Sequence, residues 1–81
     1  MNDTQLRKII LGEYYKQRRG EYFTPQPEDF DPQIPMEDIF AISSQLGKLG
    51  LIDWKSLPHT ASGVGKINAN GIDAVEMERN V

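Results

Sequence analysis

Two stretches of the chain contain apolar residues at every third or fourth position, the spacing of a helix with one buried face. The first contains Leu6, Ile9, Ile10 and Tyr14, and the second contains Ile39, Phe40, Ile42, Leu46 and Leu49. They predict one helix from Thr4 to about Arg18 and another over residues 35–49. Pro35 near the first position, with Glu37 and Asp38 in the first turn, favours the start of the second helix, and Gly50 favours its end.

Beyond Gly50 the pattern changes to that of a two-stranded hairpin. Leu51 to Lys55 contains a β-branched and an aromatic residue, which favours a strand. We expect Trp54 at the edge of the core, because it alternates with Ile52. Residues 56–65 are small, polar and rich in glycine, so they predict a mobile loop, and residues 66–68 are the candidate returning strand.

Residues 21–35 connect the two long helices and contain four prolines, which exclude another long helix. One helical turn from Pro27 to Asp31 is compatible with this pattern. The aromatic residues Tyr22, Phe23 and Phe30 are too apolar for a free linker, so we expect their rings to face the core.

The segment from Ile67 to Ala74 is compatible with two structures. Asn70-Gly71 between alternating apolar residues is typical of a hairpin. Alternatively, Asn68 caps a helix from Ala69 to about Arg79, in which Gly71 would cost about 1 kcal/mol. We favour the helix, because a hairpin would leave residues 76–79 without a structural role.

The composition predicts a single small domain over residues 1–81 and makes several functions improbable. The chain has no cysteine, which excludes disulfides and thiolate metal sites. No apolar run approaches the roughly 20 residues of a bilayer crossing, so we expect a cytoplasmic protein without a membrane partner. A single histidine in a polar loop, and carboxylates without ligand spacing, predict no metal, no cofactor and no enzymatic activity.

The charged residues are distributed unevenly along the chain, which has a formal net charge of −3. Residues 1–20 carry five basic and two acidic side chains, whereas residues 21–38 carry six acidic side chains and no basic one. This pattern differs from the continuous basic stripe that is typical of a dedicated nucleic-acid-binding protein.

The order helix, connector, helix, strand, glycine-rich loop, strand, helix resembles the winged helix-turn-helix superfamily, in particular small bacterial and phage members. Residues 45–52, Gln-Leu-Gly-Lys-Leu-Gly-Leu-Ile, are similar to the end of a recognition helix in that superfamily. Residues 67–76 are similar to the segment that follows the wing. The connector departs from the family pattern, because its prolines leave room for only a turn where a second helix is usual. The resemblance implies an α+β fold of three helices with a small antiparallel β-wing.

The resemblance also implies DNA binding and transcription regulation, with the helix 35–49 in the major groove and the wing 55–66 on the backbone. The candidate contacts to DNA or to another partner are Ser43, Ser44, Gln45, Lys48, Lys55, His59 and Lys66. These side chains suit base or phosphate contacts, whereas Glu37 and Asp38 would meet phosphate charge. We therefore slightly favour a protein-interaction or assembly module and keep duplex DNA as the alternative partner. The final helix often builds dimers in the resembling families, so Met77 and Val81 are candidate homodimer contacts.

Overall fold

A computed structural model describes residues 2–60 and 62–79 and shows an α+β fold. Its helices are α1 (Asp3–Lys16), α2 (Met36–Lys48) and α3 (Ala69–Arg79), and its strands are β1 (Ile52–Ser56) and β2 (Gly63–Ile67). The two strands form an antiparallel hairpin in which Ile52 pairs with Ile67. The expected arrangement of three helices with a small antiparallel wing is thereby confirmed.

The connector between α1 and α2 contributes a short turn and one edge of the sheet. Residues Pro27–Asp29 form a single 3-10 turn, which lies within the range 27–31 where the prolines allow one helical turn. Phe23 exchanges two backbone hydrogen bonds with Gly65 of β2, at 2.7 and 2.9 Å, so the chain briefly lines the hairpin as a third strand. Phe30 is buried and Phe23 packs against the core, but Tyr22 is 40% exposed and the expectation that its ring faces inward is wrong.

The returning strand begins earlier than its residue types indicate. Gly63 and Gly65 belong to β2 and are buried, although their composition predicted part of a mobile loop. A Cβ atom at Gly63 would lie 2.5 Å from the indole of Trp54, and one at Gly65 would lie 2.8 Å from the Tyr14 ring. Glycine therefore allows both rings to lie against the strand, and Trp54 occupies the expected position at the core edge.

The last segment is a helix, and the hairpin alternative is wrong. The Asn68 side-chain oxygen accepts a hydrogen bond from the Gly71 N–H at 3.0 Å, which caps α3. The Asn68 amide also donates to the Gly50 carbonyl at 2.9 Å and thereby ties the start of α3 to the end of α2. A Cβ atom at Gly71 would collide with the Leu51 carbonyl, so this glycine permits the close approach.

The core lies where α1, α2 and the inner face of the hairpin meet. Its buried apolar residues are Leu6, Ile10, Leu11, Tyr14, Tyr15, Phe30, Ile34, Ile39, Ile42, Leu46, Ile52, Ile67 and Val75. Two residues of the predicted apolar stripes are instead exposed, Ile9 by 42% and Leu49 by 59%. Leu49 leaves the core because α2 ends at Lys48 and Gly50, with φ of 77°, turns the chain away.

Candidate functional site

Ser43 does not reach the surface of α2. It is fully buried, donates a hydrogen bond to the Ile39 carbonyl at 2.8 Å and is hydrogen-bonded to the Tyr14 hydroxyl at 2.8 Å. Burial raises the pKa of Tyr14 to about 12, partly offset by the hydrogen bond to Ser43. The prediction that Ser43 contacts DNA or a partner is therefore wrong, since its hydroxyl is enclosed by α1 and its own helix.

Gln45 lies on the side of α2 that faces α1. Its side-chain oxygen accepts a hydrogen bond from Arg7 at 3.1 Å, and its amide donates to Asp3 at 3.4 Å. The glutamine thus bridges a cation and a carboxylate of α1. In this arrangement its side chain is turned toward α1, and one acceptor and one donor of its amide are already used there.

Lys66 forms hydrogen bonds with the backbone just beyond the end of α1. Its ammonium donates to the Arg18 carbonyl at 3.2 Å and to the Gly20 carbonyl at 2.6 Å. Carbonyls just past a helix end lack intrahelical partners, so a half-buried lysine stabilises them. In this structure the Lys66 ammonium is directed at carbonyls of the chain itself, and its contact with a DNA backbone stays a prediction.

Three of the remaining candidates line one depression between α2 and β1, which we call the basic groove. Its lining residues are Tyr22, Ser44, Gly47, Lys48, Ile52, Asp53, Trp54 and Lys55. The Lys55 ammonium lies 4.6 Å from the centroid of the Tyr22 ring, within cation–π range. Nothing in the sequence indicated that Tyr22 belongs to this surface, because the position of Tyr22 depends on the pairing of the connector with β2. His59 is exposed in the wing turn with φ of 62° and does not line the groove.

The first turn of α2 carries two acidic side chains without an ion-pair partner among the described residues. Glu37 is exposed and Asp38 is partly exposed, and neither forms an ion pair with any residue in the described ranges. Both stabilise the helix start through the helix dipole. A duplex approaching this end of α2 would bring phosphate charge to the two carboxylates, which disfavours docking there.

A second depression lies between α1, the end of α2 and α3, and we call it the apolar groove. Its floor consists of Leu11, Leu46, Leu51, Ala74 and Val75, Leu49 lies at its edge, and its rim consists of Thr4, Arg7, Lys8, Gly12 and Glu78. Its volume is about 340 Å³. An ion pair of 2.6 Å between Lys8 and Glu78 joins α1 to α3 at the rim.

Leu49 and Gly12 both line the apolar groove. Leu49 is 59% exposed at its edge, although its spacing predicted a buried position. A Cβ atom at Gly12 would meet nothing within 4 Å, so α1 contributes no bulk at that point. The signal that could have identified this surface is the glycine that ends α2 directly after Leu49, because a helix that stops there leaves its last apolar residue outside.

Comparisons with known proteins give no assignment: no protein-family model, curated protein or solved structure matches the chain. Within residues 2–60 and 62–79, no three acidic or histidine side chains are grouped so that they could hold a metal ion. None of the described helices has the length and apolar character needed to cross a membrane.

Proposed function

We propose that the chain is a protein-interaction module on a winged-helix scaffold, and that its apolar groove binds apolar side chains from a helix of a partner protein. The observation that carries the proposal is the groove itself, with an exposed leucine at its edge and leucine, alanine and valine along its floor. This function requires no metal, no cofactor and no catalytic group.

The shape and lining of the groove favour a helical partner. Its walls are two helices, and an amphipathic helix typically enters such a surface with apolar residues at positions i, i+3 or i+4 and i+7. A volume of about 340 Å³ is near the lower end of ligand pockets, which suits a few side chains. Arg7, Lys8 and Glu78 at the rim provide charges that can set the orientation of the partner.

DNA binding by a transcription regulator is the second candidate, and one observation favours it. Ser44, Lys48 and Lys55 share the basic groove between α2 and the wing, the surface that the resemblance directs toward DNA. Against it, Ser43, Gln45 and Lys66 are bonded within the fold. The carboxylates at the start of α2 also disfavour a duplex, so we rank this candidate second.

Selection of helical peptides from a displayed random library tests the proposal. The wild-type domain should enrich peptides with Leu, Ile, Met or Phe at helical spacing. These peptides should lose binding to Leu49→Glu, which places a charge in the groove. They should keep binding to Leu57→Glu, a matched change at a residue that is 42% exposed in the wing turn and outside the groove.

Two results would overturn this proposal. One is the absence of any enriched helical peptide. The other is enrichment of peptides that bind Leu49→Glu as well as the wild type, which would place their site elsewhere. Circular dichroism of both variants checks that the fold is retained, and we expect no loss because both leucines are exposed.

A further inference from the structure

We propose that the open edge of β1, which borders the basic groove, binds an extended acidic segment of a partner protein as an additional strand. β1 has β2 on one side, and no other strand within residues 2–60 and 62–79 pairs with it. A strand with one unpaired edge carries backbone N–H and C=O groups that can bind another chain. The inference concerns the second groove of the molecule and goes beyond the proposed function.

The hydrogen bonds of the hairpin identify the free backbone groups of β1. Trp54 lies opposite Gly65, but the Gly65 N–H donates to Phe23 at 2.9 Å and the Gly65 carbonyl accepts from Phe23 at 2.7 Å. Opposite residues of an antiparallel pair exchange both bonds or neither, so Trp54 forms none with Gly65. The Leu57 N–H donates to the Ser62 carbonyl at 3.0 Å, which agrees with bonded positions at every second residue. The Trp54 backbone groups therefore point away from β2, on the side of the basic groove.

The basic groove provides space and charge for such a strand. Its volume is about 490 Å³, and it lies between α2 and β1. Lys48 and Lys55 are exposed in its lining, and neither forms an ion pair with another described residue. Asp53 is the one carboxylate among the lining residues, so the two lysines outnumber it. An acidic segment therefore complements this groove better than a basic one.

The alternation of side chains along β1 predicts the residue pattern of the incoming segment. Trp54 packs at the edge of the core, whereas Asp53 and Lys55 lie on the opposite, exposed face. The incoming strand should alternate in the same way, with apolar residues beside Trp54 and carboxylates beside Lys55. Asp53 would repel a carboxylate directly opposite, which helps to set the register. The expected ligand is a short segment of alternating apolar and acidic residues.

This surface is separate from the homodimer contact expected at the final helix. Met77 lines neither the apolar groove nor the basic groove, and its role in a homodimer stays a prediction. Val81, the other residue expected at that contact, lies outside the described residues.

Fluorescence anisotropy of a labelled hexapeptide of alternating valine and glutamate tests the inference on the full chain. The peptide should bind the wild type saturably, with a dissociation constant below about 10⁻⁴ M. Two further peptides carry N-methyl groups on every valine or on every glutamate, which removes the backbone donors along one edge. One of them should lose affinity at least about tenfold and the other should keep it, because only alternate N–H groups face β1.

Substitutions in the protein test the edge and its charge separately. Ser56 is exposed and follows Trp54 by two positions, so its N–H also points away from β2. Ser56→Pro removes this donor without removing a bond of the hairpin and should weaken peptide binding, whereas Ser56→Ala should not. Lys55→Glu should weaken binding at least about tenfold. Lys16→Glu is its matched control, because Lys16 lies on α1 and lines neither groove.

Three results would overturn the inference. Equal affinity for both methylated peptides would mean that the backbone edge of β1 is not used, and this comparison requires no variant protein. Failure of the wild type to bind the unmodified peptide would leave Lys55 as a charge that only prevents pairing between edges. Tight binding of duplex DNA that requires Lys55, without binding of the peptide, would assign the basic groove to the second candidate function. None of these results bears on the apolar groove, whose test depends on Leu49.

Discussion

At the scale of single residues, the Tyr14–Ser43 pair links the interiors of α1 and α2. The two hydroxyls lie 2.8 Å apart, and Ser43 donates in turn to the Ile39 carbonyl, so both buried polar groups are satisfied. Such a pair fixes how α1 lies on α2, because a shift of either helix would leave a hydroxyl without a partner in the core.

The buried tyrosine predicts a loss of stability at alkaline pH. Tyr14 ionises at its ordinary value of 10.0 in the unfolded chain, while burial raises its pKa to about 12 in the folded protein. Its contribution is therefore complete below pH 10 and is lost as the pH rises from 10 to 12, where the unfolded state binds fewer protons. Across this range the free energy of unfolding should fall by about 2 to 3 kcal/mol more for the wild type than for Tyr14→Phe.

Urea unfolding of the two proteins at several pH values measures this difference. The other tyrosines and the lysines are present in both proteins, so their titration affects both curves alike. Parallel pH dependences for wild type and Tyr14→Phe would contradict the assignment.

The burial of Ser43 could not be predicted from its surroundings in the chain. Helical spacing correctly placed Ile39, Ile42 and Leu46 on one buried face. Serine at an adjacent position is usually exposed, and here it is enclosed because a tyrosine 29 residues away supplies its partner. The burial of a polar residue depends on a distant partner, which periodicity does not show. Gln45 and Lys66 are only partly buried, but their hydrogen-bond partners are likewise distant in the chain.

At the scale of elements, the residue at which α2 ends decides which of its leucines are buried. Leu46 is fully buried within the helix, whereas Leu49 lies one residue beyond it and is 59% exposed. Leu46→Ala should lower the free energy of unfolding by about 2 to 5 kcal/mol, as expected for a buried leucine. Leu49→Ala should change it by less than about 0.5 kcal/mol, as for a surface site. Equal costs in urea unfolding would mean that Leu49 is part of the core.

Substitution by alanine should change the stability of the protein in opposite directions at two helical glycines. At Gly12 an added Cβ meets nothing within 4 Å, so Gly12→Ala should stabilise α1 by about 0.5 to 1 kcal/mol. At Gly71 the Cβ would collide with the Leu51 carbonyl, and backbone must move. Gly71→Ala should therefore destabilise by at least about 1 kcal/mol despite its better helix propensity. If thermal unfolding shows that both variants are stabilised, the close approach of α3 to Leu51 is incorrect.

The sequence was sufficient to predict the elements but not all of their limits. The order of elements and the Asn68 cap follow from local signals such as apolar spacing and capping types, and the proline spacing was compatible with the short turn at Pro27–Asp29. Gly63 and Gly65 were assigned to a loop because glycine is usually a turn residue. They lie in β2 because Trp54 and Tyr14 need space there, and that requirement is visible only in the packed structure.

At the scale of the whole molecule, the apolar groove and the basic groove share no lining residue. The apolar groove uses α1, the end of α2 and α3, whereas the basic groove uses α2, β1 and the connector. Changes in one should leave the other intact, so their functions can be tested separately. The resemblance to DNA-binding proteins concerns the basic groove, and our proposed function concerns the apolar one.

A salt-dependent titration of the wild-type protein with duplex DNA tests the central claim most directly. If the domain is a protein-interaction module, binding at physiological salt should be no tighter than about 10⁻⁴ M, the weak end of the non-specific range. Tight binding that weakens steeply with salt would contradict the claim. In that case Lys48→Ala and Lys55→Ala should each reduce the salt slope by about 1, identifying the basic groove as the DNA contact.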